Sequence, residues 1–451
     1  MSEVKNTSFE DCLKKLMESL EASLYEAAAT QLANLHSAEI ARLLEAVPLK
    51  DRTVLWSNID TCTQGDILKD LNEDVRSQLL SEMSVDSIVE ATEGLDTDDL
   101  ADIVPDLPES ALHNLLLTLD HKHQEHLKRV LSYPEDSAGG LMNIDIITVR
   151  DDVTVRTVIR YLRLLKEMPI DTDQVFVVDR AYKYLGAIHI STLLTNEAQQ
   201  NIGPLINKTL KPITAQTPEN EVANLFEQRD LISAPVVDED NQLIGRITID
   251  DVVDVIRDEA EHSVMSMAGL DEEEDVFAPV MQSSQRRSVW LGVNLITVFI
   301  AVFFIGLFEA TLQEKIALAI LMPVVASMGG IAGTQTLILV TRGMATGRIT
   351  NSNLKVLMSK EVAIGFLNGL IWAAVIGLAT HLWFNDILLS IVIALAVVVN
   401  LIFAAFAGAI LPSLLHKFKI DPALAGGVIL TTITDVIGFV AFLGLASLVV
   451  H

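Results

Sequence analysis

Hydrophobic and polar positions follow three different schemes along the 451 residues. Up to residue 132, apolar side chains recur three and four apart in short stretches that proline ends, the spacing of amphipathic helices. Residues 137–260 change to short apolar runs bounded by acidic turns and glycine and flanked by helical spacing, which predicts α/β units. Beyond residue 285 polar positions almost vanish. Uncharged runs cover 288–308, 316–341, 362–385 and 387–416, and a fifth, 422–450, is broken only by Asp435. A helix of about 20 residues crosses a hydrocarbon layer of about 30 Å, so five membrane helices are predicted.

Two repeats organise the first 260 residues. Ala-Arg-Leu-Leu-Glu-Ala-Val-Pro at 41–48 returns in outline as Ala-Asp-Ile-Val-Pro-Asp-Leu-Pro at 101–108, which suggests stacked helical hairpins in an all-α superhelical domain. The second repeat is stronger. Val-Phe-Val-Val-Asp from Val175, then Tyr-Leu-Gly-Ala-Ile-His-Ile from Tyr184, matches Ala-Pro-Val-Val-Asp from Ala234 and Gln-Leu-Ile-Gly-Arg-Ile-Thr-Ile from Gln242. This pattern resembles a tandem pair of CBS domains. The resemblance implies adenine nucleotide as a ligand, ATP among the possibilities, with Thr248 and Asp251 at a ribose contact; the first copy has His189 and Thr192 there instead. The expected organisation is a helical domain over 1–132, CBS units over 137–200 and 201–260, a plug-like linker helix over 261–285, and five membrane helices over 286–451.

Charge divides the chain at the same place. Of the 60 acidic residues only Glu309, Glu314, Glu361, Asp386, Asp421 and Asp435 lie beyond residue 285. The large acidic part disfavours nucleic acid as a partner and favours cations. Arg286, Arg287, Arg342, Arg348, Lys355, Lys360, Lys417 and Lys419 fall on one side of five crossings and Lys315 on the other, so the positive-inside rule makes the acidic part cytoplasmic and puts the C-terminus outside. Cys12 and Cys62 form no disulfide framework or CxxC pair, which suits a reducing compartment, and the polar first ten residues lack the apolar region of a signal peptide.

Candidate chemistry lies in the carboxylates. A charge near the middle of a span costs several kcal/mol unless it is paired, protonated or faces water, so Asp435 marks an ion or proton pathway. Asp98 and Asp102 lie one turn apart on a helix, and Asp251, Asp254 and Asp258 follow i, i+3, i+7, with Glu259 extending the row. Carboxylates without His or Cys suit hard ions such as Mg²⁺ or Ca²⁺. Pro323 with Gly329, Gly330 and Gly333 can open the second span onto a hydrated cavity, whereas the GxxxG pair of Gly329 and Gly333 more commonly means close helix packing, and both readings stay open here. No convergent nucleophile and base points to an enzyme, and no GxxxxGK[ST] points to an ATP-driven pump.

The order of these parts becomes specific at Tyr-Pro-Glu-Asp-Ser-Ala-Gly-Gly-Leu-Met over 133–142, Asp-Pro-Ala-Leu from Asp421, and Thr434-Asp435. Together they resemble the MgtE family of magnesium channels over essentially the whole chain. The resemblance implies a homodimer in the cytoplasmic (inner) membrane with its pore between subunits. It implies Asp435 as the pore ligand for Mg²⁺, and Asp98, Asp102, Asp230, Asp251, Asp254 and Glu259 as cytosolic magnesium sensors that close the pore. Ile331 and Gly427 stand where the family carries asparagines, and His262 and Ser263 where acidic residues are expected. Three readings stay open on the sequence: a Mg²⁺-gated Mg²⁺ channel, a transporter of Co²⁺ or another divalent ion, and a membrane-anchored nucleotide or Mg²⁺ sensor without transport.

Overall fold

The short amphipathic stretches of the N-terminal region fold as ten helices among the described residues, from α1 (Phe9–Glu21) to α10 (His121–Val130). The computed structural model describes residues 9–450 apart from 93, 94, 96, 120, 166, 167, 170, 171, 272, 273 and 351. The chain divides into two compact units, Met1–Ala260 with Glu273–Pro279, and Glu261–Glu272 with Val280–His451.

In the first unit the buried residues of the helices, among them Leu44, Leu55, Ile67, Leu79 and Leu115, join one apolar cluster with Phe226, Ile247 and Val252 of the second α/β repeat. The helical region is therefore packed onto that repeat through a continuous core. The first repeat contains β1 (Thr148–Arg150), α11 (Val155–Leu164), β2 (Gln174–Val178), β3 (Tyr184–His189) and α12 (Ile190–Thr195). The second contains β4 (Ile213–Thr214), α13 (Glu219–Arg229), β5 (Ser233–Val237), β6 (Leu243–Thr248) and α14 (Ile249–Ser266). Each sheet has one parallel and one antiparallel pairing, with Gln174 opposite His189 in the first and Ser233 opposite Thr248 in the second.

The repeats meet about a pseudo-two-fold axis. Tyr184 donates its N–H to the Asn241 carbonyl at 3.1 Å, and Leu243 donates to the Tyr182 carbonyl at the same distance. Those two bonds exchange under the sequence offset of the repeat. Tyr182 and Asn241 also share a left-handed backbone, φ 64° and 62°, in equivalent turns.

The second unit contains α15 (Val280–Gly306), the short α16 (Glu309–Glu314), α17 (Ile316–Ala345), α18 (Leu354–Phe384), α19 (Ile387–Lys417) and α20 (Pro422–Val450). Five of these are long and apolar enough to cross a membrane. α19 packs against α17, α18 and α20 and is the most buried of the five. Large apolar side chains such as Phe299, Phe303, Leu382 and Trp383 point outward, as a lipid-facing surface requires.

One open choice is decided and one expectation changes. Of the two readings of the second span, close packing is the one found: α17 is helical through Pro323 and all three glycines, with Gly329 and Gly333 buried against Asn400 of α19 and Leu430 of α20. Their lack of a side chain serves close approach. The segment 261–285 is divided between the end of α14, a non-helical stretch, and the start of α15 at Val280, so the acidic row from Asp251 to Glu259 shares one helix with His262 and Ser266.

Candidate ion site and carboxylate clusters

The fifth span places Asp435 halfway along α20, half-exposed. Gly427, Thr431 and Asp435 are four residues apart and form a stripe along it. A Cβ added at Gly427 meets nothing within 4 Å, and Thr431 is exposed with its hydroxyl donating to the Gly427 carbonyl at 2.8 Å. Thr434, by contrast, is on the packed side and fully buried. Among the described residues Asp435 makes no hydrogen bond or ion pair. Ile331 of α17 is 59% exposed and Gly330 borders open space, so the departures at 331 and 427 both lie on open surface rather than in the core.

Of the polar residues picked out in the spans, Gln335, Asn294 and Asn368 are exposed, and Thr431, Thr432 and Thr434 bond carbonyls of their own helix. Asn400 is different: its Nδ2 donates across to the Val325 carbonyl of α17 at 2.8 Å. Sequence reading did not single out Glu361 of α18, which is buried and accepts a hydrogen bond from Thr336 Oγ1 of α17 at 3.3 Å.

In the first unit the predicted acidic residues fall into separate settings. Asp98 and Asp102 lie on α8 (Thr97–Ile103); the Asp98 side chain is outside the described residues, and Asp102 is exposed. Asp251 caps the start of α14, accepting from Thr248 Oγ1 at 3.1 Å, so the two residues assigned to a ribose contact are bonded to each other, with Thr248 buried. Asp254 is exposed and paired with Arg257 at 3.0 Å, and Arg257 also reaches Asp258 at 3.1 Å. Among the described residues no three His, Cys, Asp or Glu side chains form a ready cation cage.

Carboxylates from different elements nevertheless act on one another. Burial pushes Asp99 above the usual carboxylate range, Lys69 opposes this, and Asp70 and Asp250 add to it. Asp254, although largely exposed, is raised by the partial burial it has and by Asp258, Asp70 and Asp250 against the pull of Arg257. Residues of α8, of the turn that holds Asp70 and of α14 thus share one acidic field, held by the Lys69–Asp99 pair at 3.2 Å. A second field surrounds Glu219 at the start of α13, raised by burial and then by Asp136, Glu259, Asp258 and Glu135. Of the expected sensors, Asp254 belongs to the first field and Glu259 to the second. Asp70, Asp136 and Glu219 were missed because only the fold brings them to α14, whereas Asp99 carried a sequence signal in the acidic stretch 96–102. Clustered oxygen donors with raised pKa fit a hard cation, whose charge relieves the repulsion.

Asp230 is elsewhere, as the left-handed cap of α13, φ 50°. It lines a cleft of about 470 Å³ with Asp173, His189, Asn207, Thr209 and Arg229. This cleft contains His189, the first-copy counterpart of Thr248, and neither Thr248 nor Asp251 lines it.

Comparison with known proteins agrees with this layout. The MgtE divalent cation transporter model matches residues 322–445, the MgtE intracellular N domain 35–136, and the CBS domain 202–258. The chain is similar to Magnesium transporter MgtE of Bacillus subtilis, 25% identical over 448 residues and 99% of each chain. It is also similar to Magnesium transporter MgtE of Thermus thermophilus, 27% identical over 97% of this chain and 99% of the other. A solved structure, the cytosolic domain of the Mg²⁺ channel MgtE in complex with ATP, is 26% identical over 54% of this chain and 99% of its own, with a TM-score of 0.48. With the transmembrane and intracellular models both matched in place and full-length relatives of the same plan, the chain belongs to the MgtE family of divalent cation transporters.

Proposed function

We propose that the protein is a Mg²⁺-gated channel that carries Mg²⁺ inward across the cytoplasmic membrane, with Asp435 as the ion-coordinating residue. The observation that carries this reading is the setting of Asp435: a half-exposed carboxylate, mid-span, in line with exposed Thr431 and with no hydrogen bond or ion pair among the described residues. Such a stripe is stable in a bilayer only against water or protein. A second copy of the chain, presenting the same stripe, would enclose a hydrated path with two carboxylates. The names of the full-length relatives support Mg²⁺ as the transported ion.

Closure is assigned to the acidic fields. The domain divisions given from the sequence serve here as functional parts: helical sensor domain, CBS pair, linker and membrane domain. Bound Mg²⁺ supplies positive charge that offsets the repulsion among Asp70, Asp99, Asp250 and Asp254, and around Glu219 and Glu259. Asp98, Asp102 and Asp251 lie on the same helices as these groups and are assigned to the same sensor. When the charge is not offset, α8 and α14 repel, and a few carboxylate pairs suffice to bias states separated by a few kcal/mol. Sidedness follows from the basic residues at the span ends, which put the acidic unit in the cytosol.

Nucleotide binding by the CBS pair is assigned to the cleft of Asp173, His189, Arg229 and Asp230, where Arg229 supplies charge for phosphate and the carboxylates can accept from ribose hydroxyls. A second reading concerns the ion. Ile331 and Gly427 leave those two open positions without an amide side chain, which favours a broader choice of divalent ions, Co²⁺ included.

Proteoliposomes test gating directly. Mg²⁺ and Co²⁺ uptake is measured while Mg²⁺ on the face carrying the N-terminal unit is varied. Flux that falls as that Mg²⁺ rises supports the proposal; flux indifferent to it removes the gate, and Co²⁺ flux alone moves the function to the second reading.

A further inference from the structure

Asp435 has no bond of its own among the described residues, so its position is inherited from where α20 lies. A close packing contact of α20 with its neighbours lies three residues further on, about 4.5 Å along the helix axis. There Gly438 is pressed against the amide of Asn400 on α19: a Cβ at Gly438 would lie 2.8 Å from Asn400 Nδ2 and 3.2 Å from Val325 Cγ1 of α17. Gly329 of α17 makes the matching notch, since a Cβ there would overlap the same Nδ2. Three spans thus meet at one amide. Asn400 is 1% exposed, its Nδ2 donates to the Val325 carbonyl at 2.8 Å, and its Oδ1 has no hydrogen-bond partner among the described residues.

A polar side chain buried among spans is held by that bond and by the shape of its notches, and both glycines are needed for α17 and α20 to approach it together. We propose that Asn400 is the positioning residue for Asp435. Through Gly438 it sets the rotation and depth of α20, and so the place of the carboxylate on the open stripe and the protein's affinity for the transported ion. This rests on Asp435 as the ion-coordinating residue.

The test uses the full chain with Cys12→Ser and Cys62→Ser in liposomes. Asp435→Cys is introduced, and its rate of reaction with a membrane-impermeant thiosulfonate is measured with and without Asn400→Leu or Gly438→Ala. The rate is expected to change about three- to tenfold in both, the range that interhelical hydrogen bonds support. Ser390→Ala should leave it unchanged, because that hydroxyl bonds only the Asp386 carbonyl, at 2.7 Å. With Asp435 intact, Asn400→Leu and Gly438→Ala should raise the KM for Mg²⁺ uptake by a similar factor and alter kcat less.

Rates within twofold of the parent in folded Asn400→Leu and Gly438→Ala overturn the proposal. An unreactive parent thiol overturns it too, since the carboxylate would then not be held at a hydrated face, and so does loss of folding in both variants, which would make the junction a matter of stability alone. If wild-type uptake proves independent of Asp435, the channel assignment fails, and the thiol rates still decide the role of Asn400.

Discussion

Arg52 holds Asp275 with two parallel hydrogen bonds, Nη1 to Oδ2 at 2.8 Å and Nη2 to Oδ1 at 3.0 Å. The guanidinium is fully buried and also donates to the Leu44 and Val47 carbonyls and to Gln78. Asp275 lies in the stretch between α14 and α15, so this pair fastens that stretch into the helical domain, only five residues before the first span begins.

Removing one partner of a buried pair leaves an uncompensated charge, at about 3–5 kcal/mol. Asp275→Ala is expected to destabilise the N-terminal unit by that order in denaturant unfolding and to raise amide exchange at 274–278. The double change Arg52→Met with Asp275→Leu should recover much of the loss. Equal loss in the single and double variants would show that packing, rather than charge, holds the segment.

The raised carboxylates give a pH dependence with a definite sign. Asp70, Asp99 and Asp254 are raised from 3.8, and Glu45 and Glu219 from 4.5, each with burial as the first cause. An acid raised in the folded state binds more protons than in the unfolded chain between its two pKa values. Stability therefore falls as pH climbs through that window, and the loss is complete above the folded-state value. Without divalent ions, the N-terminal unit of the full-length protein should unfold at higher temperature near pH 5 than at pH 7. Added Mg²⁺ should restore the difference at pH 7 and do less at pH 5; a Mg²⁺ effect that is equal at both pH values would detach it from these carboxylates.

Asp421 has two tasks at the head of α20. Its carboxylate accepts from the N–H groups of Ala423 at 2.9 Å and Leu424 at 3.3 Å, and it meets His262 Nε2 at 3.2 Å. Asp421→Ala should lose about 1 kcal/mol of stability with the cap, whereas Asp421→Asn keeps a capping oxygen and should lose little. Thermal unfolding in detergent separates them, and equal losses would assign the effect to the His262 contact.

The five spans were legible because uncharged runs of that length have few alternatives, and the α/β repeat because its 59-residue offset survives in strand and turn. Ser233, for example, pairs with Thr248 as Gln174 does with His189. Asp435 stands out for the same reason, as the one charge in its run, and its role remains a proposal. The junction at Asn400 was not, since neither Gly329 nor Gly438 indicates which side chain it makes room for. Nor was the pairing of Arg52 with Asp275, which lie 223 residues apart. The proline and glycines of α17 left two readings open because the same residues that loosen a helix also let two helices touch, and only the neighbouring span decides which occurs.

The central claim is tested most directly by Mg²⁺ uptake into proteoliposomes containing the wild type or Asp435→Asn, an isosteric change that removes only the charge. The account predicts that uptake is lost, or falls at least about tenfold, the factor that accompanies 1.4 kcal/mol, in a variant with wild-type unfolding temperature. Undiminished Mg²⁺ uptake by that variant would contradict it.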